Sequence, residues 1–233
     1  MTGGRSVVVA ADPADIAAAA LVEVLHRRGR VPVLRLGPAQ LAAATVLPSP
    51  ASGRVGGRTR TLSDDALVLP DGVRVDRASC LVLWRLEPLP RGRHDELLLW
   101  LNALGESAVN APDPAFPAGR HARLLHLAPA GEDAAPSYCV YGTAVDDSVT
   151  AEPVELRPPA LVLDGHTVGG PAWAGVLASA LGLHVAEVRY GTVRGDTVVV
   201  GVSAVPGLTG AGQLGALAGY LERRAAEGVA SAA

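Results

Sequence analysis

Apolar residues come in short blocks along this chain, and turn-forming residues separate the blocks. Ser6–Ala11 (SVVVAA) is a continuous apolar run, the pattern of a strand buried on both faces of a parallel sheet. Asp12 and Asp15 suit the start of a helix, with Pro13 near its first turn. That helix is expected to run to about Arg28 with Ile16, Ala19, Ala20, Val24 and its neighbours inward, and Gly29 stops it. Val31–Leu36 (VPVLRL) reads as a second strand, completing a β-α-β unit, and Leu41–Ala44 as a short helix.

Residues 48–60 (PSPASGRVGGRTR) are rich in Pro, Gly and Arg and read as a loop or an edge hairpin. Leu67–Val75 carries a Pro-Asp-Gly turn between apolar pairs and predicts a hairpin. Ser79–Leu86 (SCLVLWRL) is the next strong strand. His94–Leu104 is an amphipathic helix with Leu97, Leu98, Trp100, Leu101 and Leu104 apolar, and Ala108–Asn110 is a short strand. The stretch APDPAFPAG that follows cannot be helical throughout. Beyond Gly131, strands are expected over Tyr138–Val145 and Val154–Asp164, the latter ending in a turn. A helix over Trp173–Leu181 is closed by Gly182. His184–Thr192 and Asp196–Val202 form an antiparallel pair joined at Arg194-Gly195, and a helix over Gln213–Glu227 ends the series. The resulting division is an α/β domain over residues 1–118, a linker over 119–136, and a smaller α+β domain over 137–233.

Composition narrows the function classes. The chain has 233 residues, 49% of them hydrophobic, so a packed core is expected rather than disorder. Its formal net charge of -3 gives no reason to expect nucleic acid or an anionic membrane as partner. No apolar run reaches the ~18 residues of a membrane span, and the N-terminus lacks a secretory signal, so a cytoplasmic chain is expected. All 20 basic residues are arginine, which leaves no ammonium side chain for phosphate binding or Schiff-base chemistry.

Three segments together resemble the ATP-grasp ligases, above all the ribosomal-peptide maturases and their glutathione-synthetase-like cousins. The opening SVVVAADPADIAAAALVEVLHRRGRVPVLRL resembles that family's Rossmann-like pre-ATP-grasp unit. LVLWRLEPLP, the helix LLLWLNALG and AVNAPD are similar to the family's strand ending in an aromatic-Arg-x-x-Pro motif, its following helix and its "V-N-P" strand end. LASALGLHVAEVRYGTVRGDTVVVGVSAVPGL is similar to its late helix, hairpin and metal-binding strand. The resemblance implies a magnesium site made by an Asp on the first strand of that hairpin and by a Glu and an Asn two residues apart on the next. Those positions are Arg189, Gly201 and Ser203 here. Mg²⁺ needs hard oxygen ligands, which a guanidinium and a bare backbone do not provide. Between Leu127 and Ser137, where the family carries a lysine-bearing subdomain and a Gly-rich loop over ATP, only APAGEDAAP intervenes. Aligning that subdomain from Ser137 instead moves the deletion later. The expectation is a truncated, degenerate ATP-grasp chain.

Other chemistry is sparse. Gly210–Gly215 spells G-x-G-x-x-G before a helix, but no strand follows it as a dinucleotide site requires, so it reads as a glycine-rich helix start. His121 and His126 are five apart and do not share a helix face, and His94, His166 and His184 are scattered. Cys80 and Cys139 make no disulfide framework; Cys80 reads as structural, and Cys139 as core unless a cationic neighbour activates it.

In an α/β sheet, ligands collect at the carboxyl ends of parallel strands. Arg85 is expected there with Trp84, and Asn110 ends the next strand. Trp84, Arg85, Asn110 and Asp12 are therefore the ligand-binding candidates. An internal pair of Arg85 with Glu87 or Asp12 is the structural alternative. No catalytic residue, metal ligand or cofactor is assigned. The resulting expectation is a pseudo-ligase without catalysis of its own, assisting a peptide-modifying or specialised-metabolite pathway. Its partners would be a ligase, a precursor peptide or a small carboxylate ligand. Loss of an ATP-covering subdomain would expose apolar sheet and favour a homodimer or heterodimer. The alternatives are an ATP-dependent carboxylate–amine ligase with an atypical nucleotide site, and a metal-free enzyme reusing the cleft.

Overall fold

A computed structural model describes residues 5–47, 66–86, 94–110, 155–193 and 195–230. The expected loop at 48–60, the Pro-rich stretch after Asn110, the linker, the strand at Tyr138–Val145, and the residues Glu87, His121, His126 and Cys139 lie outside them. The chain divides into two compact units, one formed by Met1–Pro114 with Leu214–Ala233 and the other by Ala115–Gln213.

The first unit is built on a four-stranded sheet in the order β2-β1-β6-β7, parallel throughout. Its strands are β1 (Ser6–Ala10), β2 (Val33–Leu36), β6 (Cys80–Trp84) and β7 (Ala108–Val109). β6 is buried over its whole length, as its unbroken apolar run predicts. Helix α1 (Ile16–Arg28) joins β1 to β2. The Asp15 carboxylate caps it by accepting from the Ala18 N–H at 2.9 Å. Gly29 ends it at φ 61°, a left-handed conformation that favours glycine. The buried residues of α1 are Ala18, Leu21 and Leu25, the last a neighbour of Val24; Ala19, Ala20 and Val24 are half-buried, and the expected Ile16 is 84% exposed. The capping residue and the packing against the sheet fix the helix's rotation, and local apolar spacing in an alanine-rich segment does not.

One face of the sheet packs against helix α3 (His94–Leu104). Val8, Ala10, Cys80, Val82 and Trp84 share a core with Leu97, Trp100, Leu101 and Leu104. Each fully buried leucine there contributes about 1.5–3 kcal/mol. Leu36, Leu67, Leu69 and Val75 extend that core to a small antiparallel sheet of β3 (Thr45–Leu47), β4 (Ala66–Val68) and β5 (Arg74–Val75). The expected hairpin is present: Pro70-Asp71-Gly72 turns with Gly72 at φ 86°, and the Leu69 N–H donates to the Val73 carbonyl at 2.9 Å. β3 was not expected, and helix α2 (Pro38–Ala43) begins before the expected Leu41.

The second unit holds an antiparallel sheet in the order β10-β9-β11-β12, with β8 (Glu155–Leu156) also paired to β11. Its other strands are β9 (Ala160–Leu163), β10 (His166–Val168), β11 (Val185–Val193) and β12 (Asp196–Ser203). Helix α4 (Trp173–Ala180) covers one face through Ala174, Leu177 and Ala178. The helix lies so close to the β9–β10 turn that a Cβ on Gly175 would come within 1.8 Å of the Gly165 carbonyl oxygen. β10 is absent from the sequence expectations because His-Thr-Val is too short to show a period.

The last helix, α5 (Ala211–Ala230), differs from the expected arrangement: its residues from Leu214 onward cluster with the first unit rather than with the second. Arg28 and Arg30 pair with the buried Glu222 at 3.3 and 3.4 Å. Arg28 also donates to the Gly215 carbonyl at 3.0 Å, and a Cβ on Gly215 or Gly219 would stand 3.5 Å from its guanidinium. Gly215, the last glycine of the G-x-G-x-x-G string, thus lies against an arginine.

Candidate functional site

The carboxyl ends of β1, β2 and β6 form the first candidate site. Parallel register aligns Ala10 with Leu36 and with Trp84, and the Arg85 N–H donates to the Ala10 carbonyl at 2.8 Å. Sheet order reverses direction beside β1, which makes this end a topological switch point. The chain leaves β1 through a tight turn in which the Asp12 carboxylate accepts from the Ala14 N–H at 2.8 Å.

Two arginines hold that turn. Arg85 makes a two-pronged contact with the Asp15 carboxylate, Nε to Oδ2 at 2.8 Å and Nη2 to Oδ1 at 3.2 Å, with its side chain 2% exposed. Arg35, from β2, donates to the Asp12 and Pro13 carbonyls at 2.9 and 3.1 Å. Burial alone would raise the pKa of Asp15. Hydrogen bonds from Arg85 and from the Ala18 N–H, with the Arg85 charge, outweigh it and hold the carboxyl below its usual value.

The predicted residues therefore sit on one edge in different states. Asp12 is exposed in the turn. Arg85 meets Asp15, a partner the sequence did not single out. Trp84 is buried in the core, and its indole N–H donates to the Leu86 carbonyl at 2.8 Å. Asn110 follows β7, buried at φ 57°, a left-handed conformation that asparagine tolerates better than most residues. Arg35 was missed; its only sequence signal is a charge one residue from the end of an apolar strand.

The second candidate site is the β11–β12 hairpin. Glu187 pairs with Ser203 and Arg189 with Gly201, so these four positions share one face of the hairpin. A Cβ on Gly201 would lie 3.7 Å from an Arg189 nitrogen, which places the guanidinium over the glycine. Glu187 was also missed: its Oε1 lies 3.7 Å from Arg189 Nε, and its Oε2 accepts from the Gly207 N–H at 2.7 Å. Ser203 bonds the backbone of Val205 as donor and acceptor. The pairing register shifts between Arg189 and Tyr190, the mark of a bulge.

Cys80 is buried, and burial raises its thiol pKa, the opposite of what a nucleophile needs. Among the described residues no group of three His, Cys, Asp or Glu side chains could hold a metal ion, and no helix is long and apolar enough to cross a membrane.

No family model matches the sequence, and no curated protein matches it. Solved structures do match the fold. The macrocyclase MdnB from Microcystis aeruginosa MRC aligns with a TM-score of 0.59 at 14% identity, over 97% of this chain and 99% of that one. The ATP-grasp ligase PsnB, complexed with precursor peptide PsnA2 and AMPPNP, aligns with a TM-score of 0.65 at 14% identity, over 97% and 99%. A Chryseobacterium gregarium RiPP-associated ATP-grasp ligase, in complex with ADP and a leader and core peptide, aligns with a TM-score of 0.52 at 9% identity, over 98% and 97%. These alignments run nearly end to end in both partners, and the protein shares the fold of the ATP-grasp ligases.

Proposed function

We propose that this protein is a ligase-like, non-catalytic participant in peptide modification that binds a precursor peptide or a small carboxylate ligand and does not itself hold Mg-ATP. The observation that carries this reading is the hairpin face. Where the resemblance implies three oxygen ligands, Arg189 lies over Gly201, and Ser203 is engaged with Val205. Among the described residues the carboxylate beside them is Glu187, which is turned to the Gly207 amide and to Arg189. A guanidinium at that position repels a divalent cation, and Glu187, the carboxylate a magnesium shell would draw on, is already engaged by Arg189 and the Gly207 amide.

PsnB and the Chryseobacterium ligase were solved with peptides, which supports a peptide partner here. The parallel sheet is read as a Rossmann-like half whose switch-point edge receives the ligand. In this reading Asp12 and Asn110 form its rim, while Arg85 and Trp84 hold the edge from beneath. A ligand carboxylate that reaches Arg85 does so by displacing Asp15. A partner ligase would supply the nucleotide chemistry.

Titration calorimetry of the full chain with ATP and magnesium tests the reading. The expected result is no saturable heat. A dissociation constant near micromolar, about -8 kcal/mol, would overturn it and make the chain an ATP-dependent ligase with an atypical nucleotide site.

A further inference from the structure

The turn that leaves β1 carries two side chains of opposite charge that do not pair with each other. Asp12 is exposed, and its Oδ1 accepts from the Ala14 N–H at 2.8 Å, which fixes where the carboxylate stands. Arg35 reaches the same turn from the carboxyl end of β2. Its Nη2 donates to the Asp12 and Pro13 carbonyls at 2.9 and 3.1 Å and lies 3.5 Å from the Asp15 carbonyl oxygen. Its Nε and Nη1 have no hydrogen-bond partner among the described residues, and neither is buried, so both are open to solvent. Among the described residues no carboxylate forms an ion pair with Arg35 and no cation forms one with Asp12.

The other two charges of this edge are occupied. Asp15 is held by Arg85 at 2.8 and 3.2 Å and caps α1 through the Ala18 N–H. A ligand carboxylate bound to Arg85 would have to break that pair and strand a part-buried acid. One bound to Arg35 displaces only water. The charges of Asp12, Asp15, Arg35 and Arg85 sum to zero, and a lone anion at Arg35 would also meet the like charge of Asp12 in the same turn. A phosphate is disfavoured further: it would draw on the N–H groups at the start of α1, and Asp15 already fills that of Ala18. A ligand that carries both signs meets neither obstacle.

We infer that Arg35 and Asp12 form a binding site for a small zwitterion, with Arg35 receiving its carboxylate and Asp12 its ammonium group. A free α-amino acid, with both charges on one carbon, is the simplest member of that class. Three backbone carbonyls orient the guanidinium and one backbone N–H orients the carboxylate, so both groups stand ready without rearrangement of the turn. The inference rests on the reading of this edge as the ligand edge and narrows the ligand from a carboxylate to a zwitterion. It uses neither the β11–β12 hairpin nor the absence of Mg-ATP binding.

The test is saturation-transfer NMR of the full chain, without nucleotide or metal, with each amino acid of uncharged side chain and with its N-acetyl and amide derivatives. The N-acetyl form keeps only the carboxylate, and the amide only the ammonium. At least one amino acid should bind saturably, and both derivatives about tenfold or more weaker, the scale of a lost charge-assisted contact. Asp12→Asn can still accept from the Ala14 N–H; it should erase the preference over the N-acetyl form and keep that over the amide. Arg35→Gln can still donate to the turn carbonyls, and it should do the reverse. A merely structural role would weaken all three ligands alike, and that result overturns the inference. If Arg35→Gln does not fold, the exposed Asp12→Asn decides by itself. Binding of no amino acid overturns the inference too, as does tighter binding of inorganic phosphate. A carboxylate that binds through Arg85 and not Arg35 overturns it while leaving the broader reading of this edge in place.

Discussion

Arg85 and Asp15, 70 residues apart in sequence, meet through hydrogen bonds of 2.8 and 3.2 Å at the carboxyl edge of the parallel sheet. The same carboxylate caps α1, so one side chain ties together β6, the turn after β1 and the first turn of the helix.

Removing Arg85 should therefore cost stability. Arg85→Ala leaves Asp15 with its cap bond but without its paired guanidinium, and the expected loss is about 3–5 kcal/mol. Chemical denaturation measures it. If a ligand carboxylate rather than Asp15 is the natural partner, the free protein loses little and ligand binding falls instead.

Acid should expose the same pair. The folded pKa of Asp15 is lowered, so its contribution is fully present above the unfolded value of about 3.9 and is lost as pH falls through the folded value. Arg85→Met removes a principal cause of the lowering. The stability gap between wild type and Arg85→Met should be constant near neutrality and shrink below about pH 4. A gap that persists undiminished at pH 2 would show that packing, not charge, is what Arg85 supplies.

Gly175 is expected to tolerate no side chain. A Cβ there would meet the Gly165 carbonyl oxygen at 1.8 Å, so α4 must lift from the sheet. Gly175→Ala should destabilise by about 1–3 kcal/mol or more. Gly212→Ala, with nothing within 4 Å in the first turn of α5, should be neutral or slightly stabilising in the same melting assay.

Glu187 anchors the segment after β12 through the Gly207 amide. Hydrogen exchange at that amide should accelerate in Glu187→Ala and stay slow in Glu187→Gln, whose side-chain oxygen can still accept. Equal acceleration in both variants would assign the anchoring to charge.

In the proposed reading the Arg189 guanidinium opposes a cation at the hairpin. Arg189→Asp places a second carboxylate on the face of Glu187, opposite Gly201. Divalent manganese, followed by its electron paramagnetic signal, should bind this variant at least tenfold more tightly than wild type, a change of about 1.4 kcal/mol. Unchanged affinity would mean that Arg189 does not oppose cation binding at this face.

Much of the architecture was legible in the sequence because its determinants are local. The unbroken SVVVA and CLVLW runs, the helix His94–Leu104, the Pro-Asp-Gly turn and the Gly29 stop each follow from a few neighbouring residues, and all appear where they are expected. The resemblance to ATP-grasp ligases was legible too, since it rests on the order of such elements; end-to-end alignment at 9–14% identity supports the fold while few residues are shared.

What the sequence could not decide is which distant groups meet. Asp12 and Asp15 look alike along the chain, and only the rotation of α1 on the sheet gives Asp15 to Arg85 and leaves Asp12 exposed. That rotation also exposes Ile16, although local spacing puts it inside. Glu187 is one acid among many until the hairpin register sets it opposite Ser203 and beside Arg189. Arg5 and Arg224 both reach the segment at 106–107 only when parallel pairing and the packing of α5 bring remote segments to one edge. Secondary structure is written in periods and caps a few residues long. Charge partners are fixed by strand register and helix rotation, which the whole core determines.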